Sequence, residues 1–212
     1  MAAPDLRLIV ITDRGLAAPR AVADVVAGAL AAGAPAIQLR DKEADARELY
    51  RLALELRELT RRHHALLFIN DRLDVALAAG ADGAHLGPDD VPLARARAVV
   101  PDTFLLGWST DDPEQAVRAA ADGADYIGCG AVFGTASKAG LEDERIGPRG
   151  LAAVARAVTI PVVGIGGVTP DNVTGIAAAG AAGAAVIGAV MAADDVTAAV
   201  RGLLEPFPRE TP

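Results

Sequence analysis

The stretch AAGAPAIQL, residues 31–39, joins the end of a helix-like pattern to the start of a strand-like one. Variants of it recur as AAGADGAHL at 78–86, AADGADYIG at 120–128 and AAGAAGAAVIG at 178–188. Each variant has adjacent alanines, a glycine suited to the end of a helix, and then apolar residues typical of a strand. These stretches lead into every second strand that the pattern predicts. They therefore indicate an even–odd pseudo-symmetry along the chain.

Eight short apolar runs alternate with longer Ala-rich segments of helical periodicity, such as 44–62 and 113–122. The predicted strands are 6–12, 36–40, 66–70, 83–86, 104–109, 126–130, 161–165 and 184–187. Eight strand-then-helix units with no linker between them predict an α/β protein, a single (β/α)8 TIM barrel, with residues 1–212 as one domain. A doubly wound open sheet is the alternative fold.

Composition excludes several classes of protein. Aromatic residues make up 3% of the chain and the formal net charge is −8, which argues against a nucleic-acid surface. The single cysteine, Cys129, leaves no internal disulfide framework and is typical of a reducing, cytoplasmic setting. We expect no signal peptide, because the first residues lack a basic region. No apolar run is long enough to cross a membrane.

The segment AIQLRDK, residues 36–42, ends an apolar strand in alternating polar residues. In an extended chain Gln38, Arg40 and Lys42 point to one face, while Leu39 and Asp41 point to the other. In a TIM barrel the active site lies at the carboxyl ends of the strands. We therefore expect this strand end to bind an anion at the mouth of the barrel.

Acidic residues follow the third and fourth predicted strands, as Asn70-Asp71 and Asp89-Asp90. Neighbouring strand ends meet in a barrel, and Mg²⁺ prefers one or two carboxylates together with substrate phosphates. The alternative is that Asp71 and Asp90 cap the helices that follow them. His85, at the end of the fourth strand, is either functional or a packed core residue.

Three Gly-rich stretches lie at other strand ends: GTASKAG at 134–140, GIGGVTP at 164–170 and VIGAV at 186–190. Glycine gives an anion access to backbone amides, and the loops after the last two strands of a barrel often bind phosphate. A solvated loop for the first stretch, and tight strand-to-helix turns for the other two, are the alternatives.

Taken in order, these motifs resemble those of the thiamine-phosphate synthase family. The matching elements are QLRDK, IND, HLGPDD, the serine of GWS, GTASK, GIGG and VIG, and they extend from Ile9 to about Ala193. Enzymes of this family are transferases that join 4-amino-2-methyl-5-pyrimidinylmethyl diphosphate to a carboxylated thiazole phosphate. The products are thiamine phosphate, pyrophosphate and CO₂.

The resemblance implies roles for residues in each motif. It implies a pyrimidine diphosphate site made of Gln38, Arg40, Lys42, Asn70, Ser109 and Lys138, in which Arg40, Lys42 and Lys138 also serve catalysis. It implies a thiazole phosphate site made of Thr135, Ser137, Gly167, Ile187 and Gly188. It implies a Mg²⁺ cofactor bound by Asp71 and Asp90.

The chain departs from the family pattern at three positions, with Pro88 in place of the usual Gln, Ser137 in place of Thr and Gly188 in place of Ser. The first departure bears on the loop that carries Asp90. A thiazole tautomerase of the same barrel family, which needs no diphosphate or metal site, is the nearest alternative function. A non-catalytic barrel that binds a phosphate ligand is another, and a homo-oligomer is compatible with the sequence.

Overall fold

A computed structural model describes residues 3–134 and 145–208, and its eight parallel strands close into a barrel. The strands are β1 (Leu8–Ile11), β2 (Ala36–Leu39), β3 (Leu66–Asn70), β4 (Gly83–Leu86), β5 (Leu105–Ser109), β6 (Tyr126–Cys129), β7 (Val162–Ile165) and β8 (Gly183–Val186). Each strand pairs with the next in the chain, and β8 pairs with β1 through Leu8 and Ala184. This closure confirms the TIM barrel and excludes the doubly wound sheet.

Helices surround the barrel. They are α1 (Arg14–Ala17), α2 (Val22–Ala31), α3 (Ala46–Arg62), α4 (Leu73–Ala79), α5 (Leu93–Arg97), α6 (Pro113–Ala121), α7 (Gly147–Ala157), α8 (Val173–Ala178), α9 (Gly188–Met191) and α10 (Val196–Leu204). α3 starts later than the sequence predicts, because the Asp45 side chain accepts a hydrogen bond from the Glu48 amide and caps the helix there. Among the described helices, none combines the length and the apolar character that a membrane span requires.

Side chains that alternate along each strand fill two apolar layers. In β1, Leu8 and Val10 face outward into the layer shared with the helices, whereas Ile9 and Ile11 face into the barrel. The interior layer also contains the rings of Phe68 and Tyr126, which meet edge to face at 5.4 Å. These residues pack the interior of the barrel, and several of them, such as Ile9 and Tyr126, also line a cavity that opens at its mouth.

Two of the repeated stretches have an aspartate directly before the strand, Asp82 before β4 and Asp125 before β6, and both make the same contacts at the amino-terminal end of the barrel. Asp125 accepts a hydrogen bond from the Leu106 amide of the neighbouring strand at 2.7 Å. Its carboxylate also pairs with Arg97, whose guanidinium donates to the carbonyls of Phe104 and Gly123. One ion pair thus ties two strands to a helix.

Asp82 repeats this arrangement one strand pair earlier. It accepts a hydrogen bond from the Leu67 amide at 2.8 Å and pairs with Arg57 of α3 at 2.6 Å. The stretch before β2 has Pro35 at this place and the stretch before β8 has Ala182. The stretches before β4 and β6 therefore share these aspartate contacts, whereas the stretches before β2 and β8 do not have an aspartate to make them.

We predict that Asp125→Ala lowers the free energy of unfolding by about 2 kcal/mol. The substitution leaves the Leu106 amide and the Arg97 guanidinium without their shared acceptor, and water reaches this pair and reduces the cost. Urea unfolding measures the change. The control is Asp122→Ala, since Asp122 is exposed at the end of α6. A loss for Asp125→Ala no larger than for the control would show that the ion pair does not stabilise the barrel.

Candidate functional site

A cavity of about 480 Å³ opens at the carboxyl ends of the strands. Predicted site residues from both halves of the barrel line it: Gln38, Arg40, Asn70, Ser109, Gly167, Ile187 and Gly188. Lys42, Asp71 and Asp90 are not part of this lining and lie next to one another. Thr135, Ser137 and Lys138 lie outside the described residues.

The end of β2 places its polar residues by two different means. Gln38 is buried on the inner face of the strand, while Leu39 packs into the outer layer. Arg40 lies beyond the last strand residue and is held by Thr12, whose hydroxyl accepts from the Arg40 amide at 2.9 Å and donates to its carbonyl at 3.0 Å. Two hydrogen bonds to a buried threonine therefore fix the arginine backbone at the cavity.

Lys42 is placed by charge and not by strand alternation, because β2 ends at Leu39. Its ammonium lies 4.0 Å from a carboxylate oxygen of Asp71. Asp41 turns away, as the sequence predicts, and pairs with Arg14 at 2.8 Å. The lysine thus lies beside the acidic pair at the edge of the mouth.

The helix-capping interpretation of Asp71 and Asp90 is wrong. α4 is preceded by Arg72 and α5 by Pro92, and neither helix has a side-chain cap. The Asp90 carboxylate instead accepts a hydrogen bond from the Gly87 amide within its own loop at 2.7 Å. Both carboxylates are therefore available for another role.

Asp71 and Asp90 form a like-charged pair. Burial raises the pKa of Asp71, and the neighbouring Asp90 carboxylate raises it further, while Lys42 and Arg40 act in the opposite direction. Asp71 also has a left-handed backbone conformation (φ 62°), and its amide N–H donates a hydrogen bond to the His85 carbonyl oxygen at 2.9 Å. The backbone thus holds a carboxylate where its charge is disfavoured, and a cation would relieve that cost.

The donor set suits Mg²⁺ but not a metal held by protein side chains alone. Within residues 3–134 and 145–208, no group of three or more His, Cys, Asp or Glu side chains is arranged so that it could hold a metal ion. Mg²⁺ commonly takes one or two carboxylates and completes its shell with water and substrate phosphate. The Asp71 and Asp90 pair fits that pattern, since its like charges are close and partly desolvated.

The opposite side of the cavity is apolar and Gly-rich. Gly166 and Gly167 have φ values of 98° and 64°, and a Cβ on Gly167 would lie 2.8 Å from the Gly134 carbonyl oxygen. The turn after β7 therefore requires glycine for its conformation, which agrees with the tight-turn interpretation. Both glycines also line the cavity, with Ile187 and Gly188 beside them, so this turn leaves backbone exposed to a ligand.

Polar side chains from three different strands contact one another inside the barrel. The His85 ring lies 2.9 Å from the Tyr126 hydroxyl through Nδ1 and 2.8 Å from the Ser109 hydroxyl through Nε2. Gln38 lines the same cavity as Tyr126. Burial raises the pKa of Tyr126, which keeps the phenol protonated. His85 is therefore part of a polar network rather than an isolated packed residue.

Sequence reasoning missed Tyr126, Thr110 and Asp111, which also line the cavity. Tyr126 starts an apolar strand, and its sequence gives no sign of a polar role. Thr110 and Asp111 directly follow Ser109, so their place at a strand end was a usable signal. Cys129, by contrast, is fully buried and burial raises the pKa of its thiol to about 12, which makes it unsuited to act as a nucleophile.

Comparison with known proteins gives one consistent family. The family model described as thiamine monophosphate synthase matches residues 8–190. A thiamine-phosphate synthase from Moorella thermoacetica is 49% identical over 202 residues, covering 95% of this chain and 96% of the relative. Another, from Chloroflexus aurantiacus, is 47% identical and covers 94% of this chain and 91% of the relative.

A solved structure gives the same result in three dimensions. The thiamine phosphate pyrophosphorylase from Pyrococcus furiosus superposes with a TM-score of 0.88 at 43% sequence identity. The match covers 98% of each chain. The similarity therefore extends over both the barrel and its mouth.

We predict that Asp71→Asn raises the midpoint of thermal unfolding at neutral pH. Below the ordinary pKa of 3.8 the carboxyl is protonated in the folded and unfolded chains alike, so the substitution changes little there. Above it, the unfolded chain ionises first because the folded pKa is raised, and the wild type loses stability until the pH passes the folded pKa. The gain of the variant should therefore grow through this window and then level off.

Unfolding midpoints measured without added metal, from about pH 3 to about pH 8, test this prediction. Asp89→Asn is the matched control, because Asp89 is exposed in the same loop as Asp90. Equal midpoints for wild type and Asp71→Asn across the range would mean that folding does not disfavour the ionised form of Asp71.

Proposed function

The chain belongs to the thiamine monophosphate synthase family, and from this premise we propose how its barrel mouth makes thiamine phosphate. The activity is that of a transferase. One observation carries the assignment of the site: a polar wall and a Gly-rich apolar wall face each other across one cavity, with an acidic pair beside the polar wall. The net charge of −8 and the single buried cysteine support a cytoplasmic enzyme that acts on small molecules.

We assign the polar wall to the pyrimidine diphosphate. Gln38, Asn70 and Ser109 supply amide and hydroxyl groups inside the cavity, and Arg40 supplies a guanidinium at its edge. A guanidinium and an ammonium are suited to phosphate oxygens, one as a planar donor and the other as a point charge. Lys42, beside Asp71, and Lys138, predicted from the sequence, complete this set.

The Gly-rich wall is assigned to the thiazole phosphate. Gly167 and Gly188 bring backbone close to the cavity, and Ile187 offers an apolar surface for a ring. Backbone amides exposed at such turns are suited to phosphate. Thr135 and Ser137, predicted from the sequence, would add hydroxyl donors.

Mg²⁺ would be held by Asp71 and Asp90 and would offset the negative charge of the diphosphate group. Lys42 lies close enough to Asp71 to contact the same diphosphate group. The diphosphate would thus be bound at the mouth with its negative charge balanced by Mg²⁺, Lys42 and Arg40. The carboxylate of Asp71 would in turn be balanced by Mg²⁺ and Lys42.

The protein's own residues then assist one substitution. The C–O bond between the pyrimidinylmethyl carbon and the diphosphate breaks, and the thiazole nitrogen forms a C–N bond to the same carbon. Pyrophosphate leaves with the bonding electron pair, so negative charge grows on it, and Arg40 and Lys42 are the groups placed to stabilise that charge. The two walls hold the nitrogen in line with the carbon, and no protein nucleophile is needed.

Purified protein supplied with pyrimidine diphosphate, carboxylated thiazole phosphate and Mg²⁺ should form thiamine phosphate, pyrophosphate and CO₂ in equal amounts. Without Mg²⁺ it should form little of any of them. The same protein supplied with the thiazole alone tests the tautomerase alternative, and substrate binding without turnover would indicate a non-catalytic barrel. Failure to form thiamine phosphate under any of these conditions would overturn the proposed function.

We predict that Asp71→Asn and Asp90→Asn each remove most activity and raise the Mg²⁺ concentration needed for half-maximal rate. A neutral amide is a poorer partner than a carboxylate for a hard dication. A loss on the order of a hundredfold in kcat/KM is expected for a group of this kind. Rates measured over a Mg²⁺ titration give both quantities.

Asp89→Asn, in the same loop, is the control and should retain wild-type rates. If both Asn variants kept full activity with an unchanged Mg²⁺ requirement, the acidic pair would have no part in metal binding.

We predict that Gly188→Val raises the KM for thiazole phosphate and leaves the KM for pyrimidine diphosphate unchanged. Among the described residues, a Cβ at Gly188 meets only the Leu16 side chain, at 3.8 Å, so this part of the fold accepts a side chain that narrows the cavity. Steady-state kinetics with each substrate varied in turn measures the effect. The reverse result, with weaker pyrimidine diphosphate binding, would show that the two walls are assigned the wrong way round.

A further inference from the structure

The segment that joins β2 to α3, residues 40–45, carries two of the cations assigned to the diphosphate, yet it belongs to neither a strand nor a helix. Arg40, at its start, is fixed through Thr12. Lys42 has an exposed side chain, and its ammonium lies 4.0 Å from the Asp71 carboxylate, a separation longer than a hydrogen bond. Another group must therefore fix the backbone that carries Lys42.

Asp41, which stands between the two cations, holds this backbone. Its side chain is 8% exposed. Oδ1 accepts hydrogen bonds from the amides of Glu43 and Ala44, each at 3.1 Å. A carboxylate that accepts from the amides two and three residues later closes the chain into a tight turn. Lys42 lies inside this turn, so the direction of its backbone depends on the Asp41 side chain.

The second oxygen of Asp41 depends on Arg14, the first residue of α1. Oδ2 is buried and accepts no hydrogen bond from the described residues, but Nη2 of Arg14 lies 2.8 Å away as an ion-pair partner. The same nitrogen contacts Glu48 of α3 at 2.7 Å. A buried carboxylate without a cation is costly. The charge of Arg14 therefore allows Asp41 to stay buried in the turn.

Loss of the Arg14 charge would disturb the diphosphate site in either of two ways. If the Asp41 carboxylate stayed in place, an unneutralised negative charge would lie next in the chain to both cations and would oppose a second anion. If it turned outward to water, the amides of Glu43 and Ala44 would lose their acceptor and the turn would open. A neutral amide at position 41 avoids both effects, because its oxygen can accept the same two hydrogen bonds.

We propose that Asp41 and Arg14 are positioning residues of the diphosphate site: Asp41 fixes the turn that carries Lys42, and Arg14 neutralises Asp41 so that it remains there. The proposal rests on the proposed function for the identity of the substrate that Lys42 contacts. The effect of the pair on the turn is a property of the protein alone.

The first test measures the turn without substrates, through the exchange of backbone amide hydrogens with water, followed by NMR. Arg14→Met keeps the alkyl chain and removes the charge. It should raise the exchange rates of the Glu43 and Ala44 amides about tenfold, the value of one hydrogen bond. The Glu114 amide is the internal reference, since Asp112 accepts from the amides two and three residues later at the start of α6. Unchanged rates for Glu43 and Ala44 would overturn the proposal.

The second test compares the kinetics of Arg14→Met, Asp41→Asn and the double variant. Arg14→Met should raise the KM for pyrimidine diphosphate about tenfold, because it leaves a buried acceptor without its partner. Asp41→Asn loses the ion pair but keeps the turn, and should raise this KM about twofold to threefold. The double variant should match Asp41→Asn, because no unpaired charge remains. Effects that multiply in the double variant would show that the two residues act independently, and would overturn the proposal.

Two controls separate this role from a general effect of Arg14 on the fold. Glu48→Gln removes the other partner of Arg14 and should match the wild type. Arg14→Met should leave the KM for thiazole phosphate unchanged, although Leu16 of the same helix lies beside Gly188. An equal rise in both KM values would mean that Arg14 acts through α1. That result, or a loss in Glu48→Gln as large as in Arg14→Met, would overturn the proposal.

If Arg14→Met does not fold, Asp41→Ala replaces it in both tests. Alanine offers no acceptor to the Glu43 and Ala44 amides, so it should raise their exchange rates and the KM for pyrimidine diphosphate more than Asp41→Asn does. Equal constants for Asp41→Ala and the wild type would overturn the proposal.

These outcomes are separable from failure of the proposed function. A wild type that forms thiamine phosphate, together with an unchanged KM for pyrimidine diphosphate in Arg14→Met, would overturn the role of the pair alone. A wild type that forms no thiamine phosphate would overturn the proposed function, and the amide exchange rates would still confirm or refute the effect of Arg14 on the turn.

Discussion

The hydrogen-bonded pairing of β8 with β1 is the constraint on which the site depends. It closes the sheet, so the polar ends of all eight strands meet around one mouth. Without closure, β2 and β8 would lie far apart on an open sheet. Gln38 and Gly188, which are 150 positions apart in the sequence, could not then line the same cavity.

The two ends of the barrel use charge in opposite ways. At the amino-terminal end, Asp82 and Asp125 each have an arginine and a backbone amide as partners. At the mouth, Asp71 and Asp90 oppose each other and the pKa of Asp71 is raised. These two ion pairs therefore stabilise the fold at the end away from the cavity, whereas the like-charged pair lies where a charged ligand would compensate it.

The interior of the barrel shows how polar groups are accommodated in a packed core. A buried phenol and an imidazole would each cost free energy without hydrogen-bond partners. The two rings instead bond each other, the imidazole also bonds Ser109 at the cavity, and glycines at 107 and 128 provide the necessary space. The cavity residues of β7, β8 and β1, such as Val163, Ala185 and Ile9, are apolar and need no such arrangement.

The sequence by itself determined the order and type of the elements, because strand and helix periodicities are local properties of the chain. All eight strands lie at or within two or three residues of their predicted positions. The grouping of Gln38, Arg40, Asn70, Ser109, Gly167, Ile187 and Gly188 at the mouth also followed from the rule for parallel strands once the barrel was predicted.

Tertiary structure alone decided what the local sequence left open. Asp71 and Asp90 have the sequence context of helix caps, yet their side chains meet across two strand ends and cap nothing. Tyr126 has the context of a core residue, yet its hydroxyl lies 2.9 Å from Nδ1 of His85 on another strand. A local pattern records which residue stands at a strand end, but the partner that sets its charge or its hydrogen bond comes from a distant part of the chain.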